Sequence, residues 1–225
     1  MRFGTFHLMT QYAGATSGQI VAETLAEAEL AERLGFGRVW LTEHHASDHG
    51  ICSAPAVFAA AVAARTQKIG LGFAVNVAPL HHPLRLAEEL AMVDQLSGGR
   101  VVAGFGPGYS PYEFARYGVD IGERHTRHNE VVEVVLKAWT GERFDYAGEH
   151  FHFEDAQALP APAQPLPVAI TASSIAGAHY AARAGHRLLT LGGSDEVREI
   201  VAAYAAEMRR SGHGAALIED NLARV

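Results

Sequence analysis

Gly37-Arg38-Val39-Trp40-Leu41-Thr42-Glu43-His44-His45 is an apolar run of strand length that ends abruptly in a carboxylate and two imidazoles. In a parallel α/β protein, strand interiors are buried on both faces, so reactive groups collect where strands end and loops begin. Glu43, His44 and His45 therefore stand where chemistry is expected. Adjacent strand residues point to opposite faces, so the two imidazoles cannot both aim at one reacting atom unless the strand has already ended. One is a candidate acid or base, the other a candidate structural partner. Spacing alone leaves open that both are loop histidines bonded to nearby carbonyls. No His-x-His follows the first strand and no Glu-x-x-His pair of the usual metal kind is present, which argues against a metal centre.

Working outward, the flanking segments alternate between strand and helix patterns. Residues Arg2 to Leu8 read as a first strand. Thr16 and Ser17 can cap a helix in which Ile20, Leu25, Ala28, Leu30, Ala31 and Leu34 recur at helical spacing before Gly35 ends it. After the His44 strand, Ser53 is expected to cap a helix from Ala54 to Ala64, with Pro55 in its first turn. A strand from Ile69 to Val77, the segment Pro79-Leu80-His81-His82-Pro83 and a helix from Leu84 to Leu96 follow. Val101 to Phe105 is the next strand, broken by Gly106-Pro107-Gly108-Tyr109. This regular order implies a parallel sheet with right-handed crossovers.

Ser110 to Gly122 reads as a long connection before a helix from Glu123 to Thr140. Phe144 to Phe153 is expected to form a hairpin turning at Ala147-Gly148, and the proline-rich Leu159 to Pro167 to be extended. The βα pattern then resumes: strand Val168 to Thr171, helix Ser174 to Ala184, strand His186 to Leu191, and a helix Asp195 to Ser211 capped by Ser194. Leu222-Ala223-Arg224-Val225 reads as the opening of another strand. The expectation is one α/β domain over residues 1–225, with about six βα units plus a strand stub, short of the eight that close a barrel.

Bulk properties bound the function. A chain of 225 residues with 48% hydrophobic residues can bury one sizeable core. Its longest apolar run, Ala54 to Ala64, is too short to span a bilayer, and the start runs into a strand rather than a signal peptide. A single cysteine, Cys52, permits no internal disulfide and fits a reducing cytoplasm. A net charge of −7 argues against nucleic-acid binding. No Gly-x-Gly-x-x-Gly follows a strand, so a nicotinamide site of the Rossmann type is not expected.

With these motifs in view, the chain resembles the bacterial luciferase-like family of flavin-dependent monooxygenases over essentially its whole length. The resemblance rests on Val39 to His45, on Pro79-Leu80-His81-His82-Pro83, on Asp94-Gln95-Leu96-Ser97-Gly98-Gly99-Arg100-Val101 and on Ala172-Ser173-Ser174-Ile175-Ala176-Gly177, four motifs in order at successive strand ends. It implies a TIM (β/α)8-type barrel. Because members usually run on through two further strands, it also implies a C-terminally shortened member or a fragment.

Carried over, the resemblance makes His44 the imidazole beside the flavin ring and places Glu43 and His45 around the pocket. It makes Ala74-Val75 a site where members often carry a non-proline cis bond under the flavin, and Ser173, Ser174 and Gly177 the phosphate-binding turn. Gly106 stands where the light-emitting enzyme has a reactive cysteine, and Pro107 where it has an arginine. Phe105 and Tyr109, with Phe6, Phe73 and Phe114, are candidates to line an apolar substrate space. The implied activity is oxygenation of a small apolar or aldehyde-like substrate with O2 and with reduced FMN from a separate flavin reductase. Hydride transfer with F420, or non-catalytic flavin binding, is the alternative. Members are commonly homodimers, and the alanine-rich helix would suit such a contact.

Overall fold

Thr16 opens helix α1 (Ser17–Arg33) with a complete capping box: its hydroxyl accepts the Gln19 N–H at 3.2 Å while the Gln19 side chain accepts the Thr16 N–H at 2.7 Å. Ile20, Thr24, Leu25, Ala28 and Ala31 form its buried face, and Gly35, at φ 82°, turns the chain back. The same grammar repeats along residues 3–225, which the computed structural model describes. The expected start of the first strand at Arg2 lies outside those residues.

Six strands form a continuous parallel path: β1 (Gly4–His7), β2 (Arg38–Leu41), β3 (Gly70–Phe73), β5 (Val101–Gly106), β8 (Val168–Thr171) and β9 (Arg187–Leu189). The short β4 (Asn76–Val77) also pairs with β5. The sheet curls into a half-barrel with β1 and β9 at its edges. Alternation sorts its side chains. Val39, Leu41, Leu71, Phe73, Ala103, Phe105, Ile170 and Leu188 join the core shared with α2 (Pro55–Arg65), α3 (Pro83–Ser97), α5 (Arg124–Ala138) and α6 (Ile175–Arg183).

The opposite face is small and aromatic by turns. Trp40 lies over Gly72, where an added Cβ would come within 2.2 Å of the indole, and the Arg38 guanidinium covers Gly70 at 2.8 Å from such a Cβ. Arg38 in turn stacks 5.5 Å from the Trp40 ring centroid. With Ala169, Arg187 and Leu189, Arg38 and Trp40 line a hollow of about 210 Å³ at the N-terminal end of the strands.

Several expectations need correction. The strand expected over 69–77 divides into β3 and β4 around the Ala74-Val75 peptide, which is cis. Ser53 does not cap α2: the N-cap is Ala54, without a side-chain bond, and Pro55 supplies the start by lacking an N–H. The expected connection over 110–122 contains helix α4 (Pro111–Tyr117), opened by a proline and closed by Gly118 at φ 67°. The hairpin of β6 (Phe144–Ala147) and β7 (His152–Ala156) has a longer turn than the sequence implies, because Glu130 accepts the N–H groups of Glu149, His150 and Phe151 within it. The N-cap of α7 (Ser194–Arg210) is Gly193 rather than Ser194. The tail is not a strand: α8 (Ala215–Leu222) runs into it, burying Ile218 and Asn221 three apart on one helical face.

Candidate active site

A cavity of about 480 Å³ opens at the C-terminal ends of the strands. Glu43 and His44 reach it from the end of β2, Ala74 and Val75 from between β3 and β4, Gly106 and Tyr109 from the end of β5 and beyond, and Thr171 and Ser173 from the end of β8. Leu189, Thr190 and Leu191 close the far side, and among the described residues no lysine or arginine lines it.

His44 is the histidine that faces this space. Its Nδ1 lies 3.2 Å from Glu113 Oε1, an oxygen that also accepts the His45 backbone N–H at 2.9 Å. An oxygen already accepting one bond accepts the second, so the ring proton belongs on Nδ1. His44 Nε2 makes no hydrogen bond among the described residues and is left as a free acceptor.

His45, beyond the end of β2, turns away from the cavity and is buried with Glu43. Its Nε2 lies 2.7 Å from Glu43 Oε1, and its Nδ1 lies 2.8 Å from the Tyr117 hydroxyl. Glu43 also accepts the Val77 N–H at 2.8 Å and approaches His81 Nε2 at 2.9 Å. Burial alone would push the Glu43 carboxyl up, but the bonds from His45 and His81 outweigh it and hold the group at about 2. His81 answers in the opposite sense: burial pulls it down, and Glu43 overcomes this and raises it.

The other sequence-predicted residues divide. Ser173 lines the cavity, while Ser174 and Gly177 lie beside it in the first turn of α6, the Ser174 hydroxyl accepting the Gly177 N–H at 3.2 Å. Gly177 is fixed by packing, since a Cβ there would sit 2.9 Å from that of Ala172. Phe105 does not line the cavity: alternation sends its ring to the outer face, where it packs 6.3 Å from Trp139. Phe73 and Phe114 are likewise buried in the interior, and Phe6 is exposed on the inner face, away from the cavity lining. His45 is a neighbour of the pocket rather than part of its wall.

Glu113 is the residue that sequence reading missed. Its signal was a proline-initiated helix, Pro111-Tyr112-Glu113-Phe114, inside a segment read as loop. A separate group outside the cavity, Glu130, Glu149 and His150, brings three potential ligand atoms within 4.8 Å of one another. There the Glu130 carboxylate is already engaged by three backbone N–H groups, so its role is to hold the hairpin turn.

Residues 1–220 match the family model for luciferase-like monooxygenases. The chain belongs to the luciferase-like monooxygenase family. Among family relatives, limonene 1,2-monooxygenase of Rhodococcus erythropolis is 33% identical over 87% of this chain and 51% of its own length. The oxygenase component of the flavin-dependent trigonelline monooxygenase of Acinetobacter baylyi is 32% identical over 73% of this chain and 46% of its own. The crystal structure of the monooxygenase RslO1 from Streptomyces bottropensis superimposes with a TM-score of 0.90 at 33% identity, covering 95% of this chain and 68% of that one. The chain spans from about half to three fifths of the length of the first curated relatives it matches. Among the described residues, no helix of this family member is long and apolar enough to cross a membrane.

Proposed function

We propose that this chain carries the flavin site of a flavin-dependent monooxygenase that uses reduced FMN and O2 to oxygenate a small, apolar or aldehyde-like substrate. The observation that carries the reading is the cavity-facing His44, held through Nδ1 by a buried carboxylate and left with an unpartnered Nε2 inside a largely apolar space. An imidazole so arranged presents one nitrogen lone pair at a fixed place, where it can take or give a proton.

The donors present fit an FMN. Ser173 and the N–H groups opening α6 offer bonds to a phosphate where the helix dipole favours negative charge. Thr190 lines the same space, and its Oγ1 is buried without a protein partner. Val75, Val77, Leu189 and Leu191 supply apolar walls for a ring system. When bound, the flavin supplies the electrons and the oxygen chemistry. The protein's own residues position the substrate, exclude bulk water with those walls, and exchange a proton at His44 Nε2.

The name of the trigonelline relative, an oxygenase component, supports a separate flavin reductase as the electron source for this chain. An apolar groove of about 340 Å³ between α2 and α3, where Val57, Met92 and Leu96 are exposed, supports a homodimer; sedimentation velocity tests it. The central test is titration with oxidised FMN, and with F420 in parallel, followed by turnover with reduced FMN, O2 and an aldehyde panel. The reading expects a spectral change with FMN and oxygen-coupled product. It also expects His44→Ala to keep flavin affinity while losing about 10²–10⁴-fold in rate. Binding of F420 alone, or flavin binding without product, overturns it.

A further inference from the structure

Helix α4 presents Glu113 and Tyr117 four residues apart, hence on one face, and each meets a different member of the His44-His45 pair. Glu113 accepts a hydrogen bond from the Nδ1–H of His44. Tyr117, outside the cavity lining, lies 2.8 Å from His45 Nδ1, its ring centroid 4.6 Å from the imidazole. The other ring nitrogen of His45 faces Glu43 at 2.7 Å. Glu43 is a full acceptor, already receiving the Val77 N–H, so His45 must present a proton to it from Nε2. In a neutral ring Nδ1 is then a lone pair, and the phenol O–H is the donor placed to meet it.

We propose that Tyr117 is a positioning residue that locks His45 as the neutral tautomer protonated on Nε2, so that one face of α4 imposes opposite tautomers on two adjacent imidazoles. His44 carries its proton on Nδ1 and turns a bare Nε2 to the cavity. His45 carries its proton on Nε2 and spends it on Glu43. Tyr117 acts through His45 on the orientation of Glu43, which lines the cavity, and touches no ligand there. The lock exists in the free protein; its consequence for rate rests on the monooxygenase reading above.

The test is imidazole 15N NMR of the full, ligand-free chain at neutral pH, with the His44 and His45 signals assigned by single substitutions. The unmodified protein is expected to show His45 with Nε2 protonated and Nδ1 as a hydrogen-bonded acceptor, and His44 with Nδ1 protonated. Tyr117→Phe keeps the ring and removes the donor. In it the His45 Nδ1 signal should move to that of an unbonded lone pair, while the His44 signals stay in place. In turnover with reduced FMN and O2, Tyr117→Phe should lower kcat about fivefold, the factor of one net hydrogen bond, with KM and FMN affinity unchanged.

A His45 protonated on Nδ1, or on both nitrogens, in the unmodified protein overturns the proposal whatever the variant does. So do His45 signals that are the same in Tyr117→Phe, including the case in which that variant only melts earlier. If FMN fails to bind while the two tautomers are found as stated, the lock stands and the flavin reading falls.

Discussion

Replacing Glu43 by glutamine removes the charge at the centre of the buried network and leaves its shape. The carboxyl titrates at 4.5 in an unfolded chain and at about 2 here, so each unit between them is worth 1.36 kcal/mol of stability. The total is about 3 kcal/mol at neutral pH. It agrees with the roughly 3–5 kcal/mol lost when one partner of a buried ion pair is removed. The sign follows from the direction of the shift. A folded value below the unfolded one gives stabilisation that is complete above about 4.5 and disappears as pH falls through about 2. His81, raised by the same carboxylate, expresses the same attraction from the other side and loses it as pH rises through its folded value; it is not counted twice. Urea unfolding of both proteins, followed by circular dichroism at several pH values from neutral to about 3.5, measures the gap. Glu43→Gln should be about 3 kcal/mol less stable at pH 7, a fall in Tm of roughly 6–12 °C for a chain of this size. The gap should narrow as pH falls below about 4.5. A gap under about 1 kcal/mol at neutral pH, or one that stays constant on acidification, refutes the account of Glu43 as a buried, ionised acceptor.

Three further outcomes are expected. Burial, reinforced by nearby His128, pushes His186 down to about 4, so stability should fall as pH drops from 6.5 towards 4, and His186→Gln should flatten that part of the stability curve. In Gly104→Ala the new Cβ would lie 1.7 Å from the Phe73 carbonyl oxygen, and because backbone cannot yield cheaply the cost should reach about 3 kcal/mol, read as a lowered Tm. Ser174→Ala should cost about 1 kcal/mol through loss of the α6 cap; fluorescence titration should show weakened FMN binding with riboflavin binding unchanged, since only FMN carries the phosphate.

The parallel order of strands and helices was legible because apolar runs, caps and closing glycines all pointed the same way, as in α1 with Thr16 and Gly35. The end of β2 was legible as a strand end carrying polar groups, and Glu43 and His44 do line the cavity there. What stayed hidden was set by contacts between distant segments. Glu113 meets His44 across 69 positions of sequence, and Tyr117 meets His45 across 72. Phe105 was misassigned because an aromatic ring at a strand end carries no local mark of which face it takes. The tail misled because the four residues Leu222 to Val225, read alone, have no visible period, whereas Ile218 and Asn221 upstream set a helical one.

Leu189 borders both hollows of the half-barrel, the one at the carboxyl ends of the strands and the one beneath Trp40. That single isobutyl group is a shared bulkhead. Trimming it to alanine would deepen both hollows at once from the wall they share, whereas a bulkier residue would narrow both.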